Sequence, residues 1–169
     1  MKNIALKSAL TLLTLLTLTG CASANSADQK TSPDGQNTNI ENSSYTIGDT
    51  IYGEDYEITL NGTRTSYQDL LGSAPDNDKF LILDVTVRNN AAEALSVSSL
   101  LMFDLLGSDS KKYNISLFAD VSNTVDGEVA SGSSLRGEVA FDVPELDSYT
   151  LEYKNGLLAD SVQFVIPNN

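Results

Sequence analysis

The residue types able to carry chemistry in this chain are few: one Cys, 23 acidic residues, seven Tyr, one Ser-x-x-Lys tetrapeptide, and neither His nor Trp. Without imidazole the chain lacks the usual acid–base group near neutral pH, the commonest metal ligand and the ordinary pH switch. Ser108-Asp109-Ser110-Lys111 has the spacing at which one helical turn stacks an amine against a hydroxyl, so that the amine takes its proton. Here the tetrapeptide lies between two strand-like runs, so a polar β-turn is expected instead. Acidic pairs and clusters occur at Asp76 and Asp78, Asp104 and Asp109, Asp120 and Asp126, and Asp142, Glu145 and Asp147. Calcium takes several oxygens converging from loops, but none of these clusters has the Asp-x-Asp-x-Asp-Gly pattern, and each reads as a solvated face. No metal site, no cofactor and no catalytic residue is assigned. A carboxylate pair across a cleft would suit glycoside hydrolysis, which keeps a cell-wall hydrolase or accessory enzyme as an alternative, beside an extracytoplasmic cation or ligand sensor. Tyr gives broad contact at low entropic cost, and Tyr45, Tyr52 and Tyr67 are the candidate recognition surface, expected near one end of the domain.

The lone Cys is placed by what precedes it. Lys2 and Lys7 form a positive start, Ser8 to Thr19 is an uncharged run of 12 residues rich in Leu and Thr, and Gly20 directly precedes Cys21. This is the pattern of a secretory signal peptide over residues 1–20, and the run is well short of the roughly 20 residues a membrane-crossing helix needs. Leu18-Thr19-Gly20-Cys21 resembles the bacterial lipobox, in which small residues admit the lipoprotein peptidase and the thiol accepts the lipid. The resemblance implies that Cys21 carries thioether-linked diacylglycerol and becomes the mature N-terminus, its amino group open to a further acyl chain such as palmitate. Each buried methylene contributes about 0.8 kcal/mol, and two chains suffice for stable anchoring. With its only Cys consumed, the exported domain has no disulfide to rely on.

Removal of the leader leaves 8 basic against 23 acidic residues, a net charge of −15. Nucleic acid is thereby excluded as a partner, since phosphate neutralisation needs clustered Lys and Arg. From Ala22 to Ser44 the chain is almost wholly Ser, Asn, Thr, Asp, Gln, Gly and Ala, with Ile40 as its only branched aliphatic residue. Such a segment cannot bury enough apolar surface to offset its ordering entropy. Residues 21–44 therefore read as the anchored Cys and a disordered linker, spanning roughly 25–30 Å as a flexible coil.

From residue 45 to 169 apolar and polar residues alternate in short runs bounded by Gly, Asn, Asp and Pro, the period-2 signature of half-buried strands. In Phe80–Asn90, Leu81, Leu83, Val85 and Val87 share one face, with Asp84, Thr86 and Arg88 on the other. In Gly137–Val143, Val139, Phe141 and Val143 do the same until Pro144 closes the ladder. Both are expected to be central strands. Five further runs centre on Ile58, Phe103, Ile115, Leu151 and Phe164, with an extra strand near Tyr45–Tyr52. Hairpin loops are expected at Asn61-Gly62, Gly107–Ser110 and Asn155-Gly156. Tyr67, Leu70 and Leu71 have i, i+3, i+4 spacing, which predicts a short helical lid within Ser66–Ala74. Seven to eight short strands with no long helix predict an all-β fold, an immunoglobulin-like antiparallel β-sandwich, with a small barrel as the competitor.

As an ordered set, Lys79–Asn90, Phe103-Asp104-Leu105 with Gly107 and Tyr113, Gly132, and Gly137–Pro144 resemble one family: the immunoglobulin-like extracellular domains of bacterial lipoproteins and secreted antigens. It is a domain-of-unknown-function family similar to the mycobacterial immunoprotective secreted antigen, and the similarity covers about residues 45–167. It implies a β-sandwich outside the cytoplasmic membrane and brings no catalytic residues. Ser131-Gly132 stands where the family pattern has Pro-Gly, and the loop Ala119–Ala130 has no counterpart in it. The expectation for the whole chain is a lipid-anchored protein on the extracytoplasmic face of the cell membrane, displaying a non-catalytic interaction domain to an envelope or extracellular protein or ligand.

Overall fold

The computed structural model describes residues 44–156 and 159–168. Leu18, Thr19, Gly20 and Cys21, the rest of the leader and the linker up to residue 43 lie outside the described residues.

Alternation sets the architecture. The strands are β1 (Thr50–Tyr52), β2 (Tyr56–Ser66), β3 (Lys79–Asn89), β4 (Leu95–Val97), β5 (Phe103–Gly107), β6 (Lys112–Tyr113), β7 (Gly127–Val129), β8 (Ser134–Val143), β9 (Ser148–Lys154) and β10 (Ser161–Pro167), with one helical turn, α1 (Ser99–Met102). They form an antiparallel sheet of order β1-β2-β3-β8 and a second of order β10-β9-β5-β6, joined at one end by a two-stranded ribbon, β4-β7. Non-consecutive neighbours of this kind are what an immunoglobulin-like sandwich requires. Every second residue of β3 faces the other sheet: Leu81, Leu83, Val85 and Val87 are buried, beside Leu105, Leu151 and Phe164 of the second sheet in one core. An aromatic trio crosses it, with Tyr56 of β2 5.3 Å from Tyr153 of β9 and Phe103 of β5 5.1 Å from the same ring. Tilted pairs at this distance add to burial.

Burial pushes the Tyr153 hydroxyl pKa well up, and that hydroxyl donates to Asn155 Oδ1 at 3.2 Å. Tyr149, near the start of β9, is buried and donates its hydroxyl to the Pro144 carbonyl upstream, the tyrosine corner of this architecture.

Four expectations are corrected. Asn61-Gly62 is not a hairpin but a bulge inside β2, marked by a register shift between Leu60 and Gly62. The Asn61 amide reaches across to Asp84 Oδ1 and Thr86 Oγ1 of β3, which holds the strand together through the bulge. The Ile115 run is a strand only at Lys112–Tyr113, and Leu101 of the Phe103 run lies exposed in α1. After β6 the chain leaves the second sheet and crosses to the first, where Ile115 bridges Phe141 of β8. In consequence β8 is an edge strand rather than a central one, and its free edge is covered by residues 115–124. Ser116 N–H donates to Ala140 O, and Glu138 N–H donates to Asn123 O. Covering an edge in this way blocks pairing with another chain. Gly137 permits the approach, because a Cβ there would lie 2.6 Å from the Thr124 backbone.

The ribbon hangs on Asn89, fully buried at the end of β3. Its Nδ2 donates to Glu93 O and Val129 O, and its Oδ1 accepts the Ala91 N–H. Ser131 supplies what a Pro there could not, a hydroxyl donating to Ala91 O at 2.6 Å. Replacing Asn89 by Ala leaves buried backbone groups unpaired and is expected to cost about 2–3 kcal/mol. Urea unfolding of Asn89→Ala against the parent checks this, and an unchanged midpoint would show that the ribbon does not depend on it.

Candidate binding surface

The acidic side chains mostly serve the fold. Asp142 accepts the N–H groups of Asp76 and Asn77, Asp78 that of Glu145, and Asp126 those of Ser99 and its hydroxyl. Asp109 accepts the Lys111 N–H and pairs with Lys111 Nζ at 3.1 Å, so the Ser108 tetrapeptide is a polar turn that directs its amine to a carboxylate. Asp104 is held by Lys112 at 2.6 Å and Lys154 at 3.1 Å. Among the described residues no three acidic side chains converge as a metal site.

One facing carboxylate pair does exist. Asp84 and Glu138 are cross-strand partners on the outer face of β3 and β8, beside a shallow pocket of about 400 Å³ that also includes Ser122, Asn123 and Arg136. The Arg136 guanidinium, donating to Asp84, holds that carboxyl below its ordinary value. Arg64, donating to both Glu138 oxygens at 3.0 and 2.9 Å, does the same for Glu138. Neither acid is poised to give up a proton near neutral pH, which is what a general acid has to do.

The three tyrosines singled out in the sequence do not come together. Tyr45 is half-buried with its ring 6.3 Å from Phe164. Tyr52 ends β1 opposite Glu57, and Tyr67 follows β2 at its far end. Ten residues of strand at about 3.3 Å each put those two roughly 30 Å apart.

Tyr67 instead belongs to a surface the sequence reading missed. The expected helix over Ser66–Ala74 does not form, because Asp69 Oδ1 accepts the N–H groups of Leu71 and Ser73 at 2.8 and 2.7 Å, a local alternative to helical bonds. The resulting loop meets the crossing segment: Asp69 bridges Ala119, and Leu70 N–H donates to Phe118 O at 2.9 Å. Beneath the junction a second small cluster forms from Phe80, Ile82, Ala119 and Ala140, with Val121 against it, so half of the outer face of β3 is roofed rather than solvated. Above it Tyr67, Leu70, Leu71, Leu117 and Phe118 face solvent, with Leu71 82% and Phe118 66% exposed. A pocket of about 380 Å³ lies alongside, lined in part by Asp76, Tyr113, Leu117, Phe118 and Asp142. The available signal was the pair of apolar doublets, Leu70-Leu71 in the expected helical lid and Leu117-Phe118 at the end of the Ile115 run.

Fold and surface together define an immunoglobulin-like β-sandwich with an apolar loop junction. The chain belongs to the family described as Domain of unknown function (DUF4352), which matches residues 45–163. Its fold is that of the yjhA protein of Bacillus subtilis (21% identity over 74% of this chain and 99% of that one, TM-score 0.57). It is also that of MPT63, a secreted protein of Mycobacterium tuberculosis (13% identity, 77% and 100% covered, TM-score 0.54). A third similar structure is ycdA of Bacillus subtilis, proposed to be a lipoprotein (21% identity, TM-score 0.61), where the match spans 74% of this chain but 39% of ycdA. No curated protein matches the sequence.

The two carboxylate–Arg pairs predict a pH response. Asp84 and Glu138 have folded-state pKa values below their ordinary 3.8 and 4.5, so the folded state binds fewer protons than the unfolded chain. Their contribution is present above those ordinary values and is lost as pH falls through the folded ones. Urea midpoints should hold steady from pH 7 to about 5 and fall below about 4. In Glu138→Gln the fall should be shallower, and an identical profile would show that this pair does not contribute.

Proposed function

We propose that the protein is a lipid-anchored extracytoplasmic lipoprotein, tethered through Cys21, that displays a non-catalytic immunoglobulin-like domain as an interaction module. The observation that carries the interaction reading is the loop junction, where five large apolar side chains stay in solvent beside the Phe80 cluster. A polar protein rarely exposes apolar groups together unless they meet a partner, and loops on a rigid sandwich are where recognition usually resides. The outer-face acids do not favour the hydrolase alternative, since each is held ionised by an Arg. Anchoring is supported by the Leu18-Thr19-Gly20-Cys21 motif after an apolar leader and by structural likeness to a protein itself proposed to be a lipoprotein.

Labelling cells with radioactive palmitate should tag the wild-type protein and leave Cys21→Ala unlabelled, with the wild type alone entering the detergent phase on Triton X-114 partition. Label on Cys21→Ala would overturn the assignment of the anchor.

A further inference from the structure

We propose that the loop junction docks a protein segment presenting apolar side chains flanked by Lys or Arg. This rests on the interaction-module reading above and adds the chemistry of the partner. Tyr67, Leu70, Leu71, Leu117 and Phe118 supply the apolar anchor, half of the ten large hydrophobic residues that stay exposed among the described residues. They sit on a built platform, not a frayed loop, since the two segments are hydrogen-bonded to each other and packed on the Phe80 cluster.

The charge preference comes from ion pairing. Residues 44–168 carry 20 acidic and 7 basic side chains, a net charge of −13. All seven bases are already held: Arg64 by Glu138, Lys79 by Glu145, Arg88 by Glu57, Lys111 by Asp109, Lys112 and Lys154 by Asp104, and Arg136 by Asp84. Among the described residues the charged side chains left outside ion pairs are therefore all carboxylates. Asp76, lining the pocket with Phe118, and Asp120, next to Ala119 of the junction, are exposed and stand in no ion pair among the described residues. Apolar anchors give affinity while the rim charges select the sign of the partner.

Two other occupants fit less well. A second copy would bring a further net −13 against this face, and like charges oppose association. Anionic lipid meets the same repulsion. The chain also enters the domain from the far end: Tyr45 runs parallel to β10 at Phe164, and β10 starts at the β9–β10 turn, opposite the junction.

The probe is a labelled peptide of about twelve alternating Leu and Lys residues, titrated against the mature chain by fluorescence anisotropy, beside a Leu–Glu counterpart and phosphatidylglycerol vesicles. Leu71→Ser/Phe118→Ser removes apolar surface without altering charge. Its Kd for the Leu–Lys peptide should rise about tenfold, the range of an interface hot spot, with an unchanged melting temperature. Asp76→Asn/Asp120→Asn should weaken binding several-fold, an effect that salt masks, and Leu100→Ser/Leu101→Ser, in α1, should leave it unchanged. Equal binding of the Leu–Glu peptide, or wild-type affinity in Leu71→Ser/Phe118→Ser, would overturn the proposal. So would self-association or vesicle adsorption that the same pair of substitutions abolishes, because the occupant would then be a second copy or lipid. Loss confined to Leu100→Ser/Leu101→Ser would also overturn it but leave the interaction module standing on another surface. Palmitate labelling reads the anchor separately from all of these.

Discussion

The inward register of β3 is the constraint on which the rest of the domain depends. Of its six inward residues, the four in the middle are apolar and fully or nearly buried, and the two at the ends, Lys79 and Asn89, are polar and equally buried. A slip of one residue would turn Phe80, Ile82 and Asp84 inward and both polar groups outward. The polar ends make such a slip costly, since each is committed to specific partners. Lys79 Nζ lies 2.8 Å from Glu145 and 2.9 Å from Asn168 Oδ1, with the Tyr149 ring 5.7 Å away, which ties the end of β10 to the β8–β9 corner. Asn89 ties the β4–β7 ribbon to the other end. One strand thus ends the core at both of its mouths and sets the position of every element bonded there. The Lys79 ammonium is buried while the Glu145 carboxylate stays 61% exposed, so the pair fastens the inward end of β3 to the rim of the domain.

The outer face of the same strand explains why the domain is not a plain two-sheet sandwich. Phe80 and Ile82 are apolar on the side that an antiparallel sheet commonly leaves to water. They need a cover, and the segment after β6 supplies it by leaving the second sheet and laying Ala119 and Val121 over them. The same crossing closes the edge of β8, so one stretch of chain meets two needs. Arg64 fastens it from beneath, donating to the Asp120 carbonyl as well as to Glu138, whose carboxylate also accepts the Ser122 N–H. Fastened at these points, the crossing chain presents Leu117 and Phe118 outward at a defined place.

What was legible in the sequence was the part governed by period-2 alternation over long runs. β3, β8, β9 and β10 follow from it, because in a strand half-buried on one face nothing competes with the pattern. Short-range signals that have two structural uses were read less well. Asn-Gly serves both as a hairpin turn and as a bulge, and only the Asn61 amide reaching β3 selects the second. Tyr67, Leu70 and Leu71 have helical spacing, yet the Asp69 carboxylate three residues into the segment captures the N–H groups a helix would use. The Ala119–Ala130 loop was recognisable as unusual, but its role depends on contacts far along the chain, such as those of Ala119 with Asp69 and Phe80, which no local window contains. For the candidate surface, composition supplied the apolar doublets and the acidic excess, while their meeting on one junction is a property of the fold alone.

The pairing of every base in the domain also bears on why recognition would be concentrated at an apolar junction rather than spread over charge. Ion pairs open to solvent contribute little to stability, so the six in which both partners reach solvent are better understood by what they remove from the surface than by what they add to the fold. They engage the seven bases of residues 44–168 inside the domain, leaving an exterior of net charge −13 that discourages association with similar acidic surfaces and with anionic headgroups. On such an exterior, diffuse attraction draws any cationic partner to many places at once and selects none. Among the described residues the junction gathers five of the ten exposed large apolar side chains, and backbone bonds join its two loops. In the proposed docking mode, specificity comes from the position of Leu71 and Phe118, and attraction comes from the surrounding acid.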